Sequence, residues 1–217
     1  MRILIFNKKF LIFMCIIFFI IFSMYFYYHN PFSMAVELSI NNGLNDNAKE
    51  KIMSLTKGTE KIAYLTFDDG PTLANHGYDH SNKKLYESNN SFINEVKKTD
   101  IEIGKAIGID NYCSHIFRFP NGYMSPNNKS QKKVSAKLLQ EMDYVYVDWN
   151  CLNNDSVKKY SNYQLLNNLK KSAKNKGTLV VLMHDTSDVN DTPSILKDSI
   201  DYLKSEGYVF QNFYDLL

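Results

Sequence analysis

The sequence is poor in the residues that would mark several special classes of protein. It has three cysteines in 217 residues, too few for a disulfide framework. Nine glycines and five prolines exclude a collagen-like chain. No internal repeat is visible. The formal net charge is only +2, and no basic stripe with interleaved aromatics occurs, so the chain does not read as a nucleic-acid binder. What is there is ordinary globular composition, 44% hydrophobic and 22% charged, which excludes disorder. A chain this long can bury a sizeable core as one domain.

One segment departs from that composition. From Phe10 to Tyr28 no residue is charged, and the run is nearly all Leu, Ile, Phe and Met. At about 1.5 Å per residue it spans most of a hydrocarbon core of about 30 Å. Arg2, Lys8 and Lys9 precede it, and no comparable basic cluster follows closely. The positive-inside rule then leaves residues 1–9 in the cytoplasm, makes 10–28 a transmembrane signal anchor and places the remainder outside the cell. The competing reading is a secreted protein cleaved near Ala35. Ser33-Met34-Ala35 is a poor cleavage site, however, and the apolar run exceeds the usual h-region of about 7–15 residues. Residues 29–60 read as a polar stalk with one short helix near Ala48–Leu55. Cys113 and Cys151 could pair in an oxidising compartment.

From residue 61 onward, strand-like and helix-like stretches alternate. Ile62–Phe67, Ile116–Phe119, Tyr144–Asp148, Thr178–Met183 and Tyr208–Phe210 read as strands. Helical spacing joins Phe92, Val96, Thr99 and Ile103, then Val134, Leu138 and Met142, then Leu165, Leu169 and Ala173, the last closed by Gly177. Asp191-Thr192-Pro193 opens a further helix. The alternation predicts an α/β domain with a parallel sheet, in which function gathers at the carboxyl ends of the strands. The polar residues follow that rule: Asp68-Asp69, Arg118, Asp148-Trp149 and His184 each end a strand-like run.

His76 and His80 lie four residues apart, and on a helical turn that spacing puts two imidazoles on one side, as a divalent metal requires. Taken alone, the pair reads equally as surface histidines. With Asp68-Asp69 nearby, one carboxylate can bind metal while the other stays free as a base. Arg118 could hold such a carboxylate ionised. His184 alone reads as a satisfied core histidine. Trp149, the only tryptophan, could be core or a flat wall for a sugar ring.

Together these segments resemble the polysaccharide deacetylases, or NodB-homology domains. Thr66-Phe67-Asp68-Asp69-Gly70-Pro71 looks like the first family motif and His76-Gly77-Tyr78-Asp79-His80 like the second. Arg118-Phe119-Pro120-Asn121-Gly122, Asp148-Trp149 and Leu182-Met183-His184 resemble the third, fourth and fifth, in the family order. The resemblance implies a distorted (β/α) barrel that removes acetyl groups from an acetylated sugar polymer with the help of a divalent metal. It implies that Asp69, His76 and His80 hold the metal, Asp68 is the general base and His184 the general acid. Arg118 would orient Asp68, with Asp148 supporting that network. The backbone around Pro120, Asn121 and Gly122 would help hold the oxyanion, and Trp149 and Leu182 would line the acetyl pocket. Two imidazoles favour zinc or cobalt over magnesium or calcium. An outward-facing anchored domain suits peptidoglycan or another N-acetylglucosamine polymer.

The sequence departs from that pattern in two places. Only Thr72, Leu73, Ala74 and Asn75 separate Pro71 from His76, where the family carries several tens of residues with a second strand and its helices. The barrel is therefore expected to be incomplete, which raises the alternative of a non-catalytic remnant that binds glycan or metal. Gly77 also stands where the family usually has Ser or Thr.

Overall fold

A computed structural model of the chain describes residues 16–21, 44–68, 74–185 and 192–216. Most of the apolar run 10–28 lies outside these residues, as do Asp69, Gly70 and Pro71. Residues 16–21 are helical, and no helix among the described residues is long and apolar enough to cross a membrane.

The elements alternate as the patterns predict. Among the described residues, helices α1 (Asp46–Ser54), α2 (Asn82–Leu85), α3 (Asn89–Ile107), α4 (Lys129–Glu141), α5 (Asn162–Ala173) and α6 (Thr192–Ser205) are interspersed with six strands. These are β1 (Ile62–Asp68), β2 (Ile116–Phe117), β3 (Val145–Tyr146), β4 (Cys151–Leu152), β5 (Leu179–His184) and β6 (Val209–Phe210). One parallel sheet has the order β4-β5-β1-β6, and β2 and β3 form a second parallel pair. Asn75 adds a single parallel bridge beside Phe117. The architecture is α/β with parallel strands, as the alternation in the sequence predicts.

Each long helix has a local cause. Ser88 and Ser161 cap α3 and α5 through their hydroxyls, and Gln164 completes a capping box with Ser161. The left-handed Gly108 ends α3. Burial of Phe92 and Val96 on α3 and of Leu165, Leu169 and Ala173 on α5 follows the helical spacing in the sequence. Strand β5 has five successive fully buried residues, the mark of a parallel strand covered on both faces.

Two details differ from the sequence reading. Helix α1 belongs to the packed domain rather than to a stalk. Ala48, Ile52 and Leu55 recur along one face and are buried against Tyr64, Ile116, Val145, Val147 and Val180. Gly177 is a close-approach residue rather than a helix stop. A Cβ there would lie 2.5 Å from the Gly58 carbonyl oxygen and from Thr59 backbone atoms, so a side chain would drive two segments apart.

A cavity lies beside β1. Strand β6 pairs with β1 only at Ile62 and Ala63. Beyond that point lies a cavity of about 550 Å³ bordered by Tyr64, Leu65, Ile116, Val147, Phe210 and Phe213. Asp68, His76 and Arg118 also line it.

Candidate active site

Asp68 is the last residue of β1 and is buried. Its Oδ1 accepts a 2.9 Å hydrogen bond from Arg118 Nη1, which also donates to Thr66 Oγ1 at 2.7 Å. Arg118 Nε donates to the Val147 carbonyl at 3.2 Å. The guanidinium is thus fixed by three acceptors, the Asp68 carboxylate, the Thr66 hydroxyl and the Val147 carbonyl. Its Nη2 is buried and finds no partner among the described residues.

His76 lies on the other side of Asp68, with Nε2 3.5 Å from Oδ2. Its Nδ1 is 2.8 Å from the Arg118 carbonyl oxygen. A carbonyl only accepts, so Nδ1 carries the proton and Nε2 presents a lone pair towards Asp68. Burial pushes the pKa of His76 down. The charge on Asp68 and the Arg118 carbonyl oppose that, while His80 and Arg118 add to it. The free Nε2 lone pair of a neutral imidazole is the donor a divalent metal takes, so the chemistry of this ring fits such a ligand. The His80 ring is 5.0 Å from that of His76, centroid to centroid. The pair is brought together by a loop, not by the helical turn expected from its spacing. Asn75 is held in a bridge to Phe117, Gly77 has φ of 87° and His80 has φ of 53°. Glycine at 77 suits that left-handed backbone. Asp69, the expected third ligand, lies outside the described residues, and among those no three His, Cys, Asp or Glu side chains form a metal-sized group.

His184 ends β5, and its Cα is the register partner of Asp68. Its Nδ1 lies 2.7 Å from Asp155 Oδ1, and its amide donates to Asp155 Oδ2 at 2.8 Å. Thr192 Oγ1 donates to the same Oδ2 at 2.6 Å. Burial pushes the Asp155 carboxyl up, but the hydrogen bonds from the His184 ring, Thr192 and the His184 amide, with the His184 charge, outweigh it and hold the group below the usual carboxylate range. His184 is therefore not a plain core histidine: it has a buried carboxylate behind it, the arrangement that fixes an imidazole for proton transfer. Sequence reasoning missed Asp155, which sits in the turn-like run Asn153-Asn154-Asp155-Ser156.

Asp148 was expected to support the Arg118 network. Its carboxylate instead accepts from the amides of Tyr123 at 2.8 Å and Met124 at 3.1 Å, and so holds the loop after Pro120. That loop has Asn121 at φ 61° and Gly122 at φ 77°. A Cβ on Gly122 would lie 2.9 Å from Trp149 Cη2, so glycine lets the loop lie flat on the indole. The Arg118 guanidinium lies 5.7 Å from the Trp149 ring centroid. Leu182 is buried in β5, in register with Thr66. Cys113 and Cys151 are both free thiols, and burial pushes Cys151 up to about 11.

A second hydrogen-bonded cluster stands behind His76. Asn75 Nδ2 donates to Asp100 Oδ1 at 2.8 Å and to the Val96 carbonyl at 2.7 Å, while its Oδ1 accepts from the Gly77 amide at 3.1 Å. Asp100 also accepts from Ser114 and, in a short hydrogen bond, from Tyr144. Burial pushes Asp100 up, although these donors pull against it.

No protein-family model and no curated protein matches the sequence. Solved structures do match the fold. A CE4 esterase from Streptococcus mutans superposes with a TM-score of 0.63 at 21% identity, over 80% of this chain and 93% of that one. The catalytic domain of a peptidoglycan N-acetylglucosamine deacetylase from Eubacterium rectale gives 0.60 at 22% identity, over 70% and 88%. A polysaccharide deacetylase from Bacillus cereus gives 0.55 at 22% identity, over 70% and 92%. This chain thus shares its fold with these esterase and deacetylase domains.

Proposed function

We propose that the chain is a metal-dependent deacetylase of an N-acetylglucosamine polymer, with peptidoglycan the first candidate. The observation that carries this reading is the placement of two differently prepared groups on adjacent strand ends. Asp68 is held by Arg118, and His184 is backed by Asp155. Amide hydrolysis needs a base for the attacking water and an acid for the leaving amine, and two such groups with opposed environments supply them.

In this reading Asp68 takes the proton of the attacking water, and Arg118 keeps its carboxylate aimed. His184 delivers a proton to the departing sugar nitrogen, and Asp155 fixes its tautomer by accepting from Nδ1. His76 and His80, with Asp69, would hold the divalent metal, zinc or cobalt by ligand type. When bound, that metal polarises the acetyl carbonyl and acidifies water. The amide of Asn121, which makes no hydrogen bond among the described residues, is the donor offered to the developing oxyanion, and Trp149 and Leu182 flank the acetyl group. The run 10–28 would tether the domain outside the cell membrane, where such glycans lie.

The test is acetate release by the full-length chain in detergent from N-acetylglucosamine oligomers and peptidoglycan, with zinc or cobalt added and again with a chelator. Chelator-sensitive release is expected. Folded, metal-loaded protein that releases none would support the second reading, a glycan- or metal-binding remnant, which the four-residue interval between Pro71 and His76 favours.

A further inference from the structure

Lys132 is unusual among the lysines of this chain. It lies on α4, is 1% exposed, and makes no ion pair among the described residues. Its ammonium donates instead to the Gly122 carbonyl at 2.5 Å and to Ser125 Oγ at 2.8 Å. The other end of the same peptide unit, the Tyr123 amide, donates to Asp148 Oδ1 at 2.8 Å. One peptide group is therefore gripped at its oxygen by a cation and at its N–H by an anion. Met124 gives Asp148 a second amide at 3.1 Å, and the preceding amide, that of Gly122, closes a turn onto the Phe119 carbonyl at 2.8 Å.

A buried ammonium is costly to desolvate, and an apolar side chain of similar length would fill the same space without that cost. Burial accordingly pushes the pKa of Lys132 down, against the pull of Asp148. The charge is thus spent on the loop carbonyl rather than on packing. The gripped peptide follows two successive left-handed residues, Asn121 and Gly122, which turn the chain sharply just before it. Gly122 also touches Trp149, so the loop and the indole are placed together.

We propose that Lys132 and Asp148 clamp the Gly122–Tyr123 peptide from both sides and act as positioning residues for the Pro120–Gly122 loop and the Trp149 wall. The inference rests on the deacetylase reading for its catalytic consequence, but not for the clamp itself.

Trp149 is the only tryptophan, so its emission reports the loop directly. Lys132→Met, Asp148→Asn and the double variant would be compared with the parent in the full-length chain, by Trp149 emission and by kcat and KM for acetate release. Each single variant is expected to red-shift Trp149 emission and lower kcat about 10- to 100-fold with KM within about twofold, the size of effect a misplaced loop produces. The double variant should lose much less than the product of the two single losses, because both grip one peptide. Should Lys132→Met fail to fold, Asp148→Asn still decides, since Asp148 is only half-buried and asparagine cannot accept equally from both amides. Unchanged emission in the folded single variants, or losses that multiply in the double, would overturn the clamp. A parent without acetate release would sink the deacetylase reading and leave emission to decide the clamp.

Discussion

Asp68 and His184 are register partners at the carboxyl ends of adjacent parallel strands, β1 and β5. Parallel pairing sets successive strand ends at the same level, so two residues distant in sequence arrive side by side without any loop having to place them. What differentiates them is the next layer. A guanidinium lies behind Asp68, and a carboxylate lies behind His184. The two side chains are thereby set in opposite electrostatic surroundings on one frame, as the proposed roles of base and acid require.

Asp155 gives the sharpest test of the His184 assignment. In Asp155→Asn the side chain keeps its shape but loses its charge, and can turn its amide N–H towards Nδ1. The imidazole then loses the partner that fixes its tautomer. The kcat for acetate release should fall by about 10²- to 10⁴-fold with little change in KM, the usual span for a lost acid or base. Steady-state kinetics on N-acetylglucosamine oligomers checks this. A fall below tenfold would assign Asp155 to structure alone.

The same carboxylate predicts an acid sensitivity. Asp155 titrates lower in the folded chain than in the unfolded one. Its stabilising contribution is therefore fully present above the ordinary carboxylate value, about 3.9, and is lost as the pH falls from there through the lowered folded value. Denaturant melts between pH 7 and pH 3 should show the parent losing more stability than Asp155→Asn over that window. Other carboxylates titrate there too, and the difference between the two proteins isolates this one.

Much of this was legible in the sequence because burial imposes it directly. The continuous apolar run of β5 and the spacing of Phe92 and Val96 on α3 can be satisfied in few other ways. What escaped depends on partners far along the chain. Strand β4 is two residues between asparagines, with no period to detect, and exists because Cys151 and Leu152 pair with Val181 and Leu182. Asp155 reads as a turn residue until β5 brings His184 beside it. Lys132 has the spacing of a solvated helix lysine and is buried only because the loop after Pro120 folds over it. The four-residue interval before His76 was plain in the sequence, but not that a cavity would border β1.

Asn75 is expected to matter as much as the histidine it precedes. Asn75→Ala removes donors from the Val96 carbonyl and from Asp100, and an acceptor from the Gly77 amide. Each buried group left unsatisfied costs about 1–3 kcal/mol. Urea unfolding should register that loss. A zinc titration of the folded variant should show weaker binding, because the lost side chain holds the Gly77 amide directly after His76. Unaltered zinc affinity would detach this cluster from the candidate metal site.

Helix α1 supplies the last test, of where the folded domain begins. Ile52 is 1% exposed and packs with Leu55, Tyr64 and Val180, so it is a core residue in a stretch whose polar composition suggests a stalk. If it is core, Ile52→Ala leaves a cavity and should cost about 2–5 kcal/mol. If α1 were a detachable stalk, the same change would fall within the roughly ±0.5 kcal/mol of ordinary surface substitutions. Met53 is the internal control, since it lies next in the same helix and is 55% exposed. Urea unfolding of Ile52→Ala and Met53→Ala side by side separates the two cases. A large loss for Ile52 with almost none for Met53 would mean that a fragment starting at residue 61 lacks part of its own core, so that loss of activity in such a fragment could not be charged to the missing second strand.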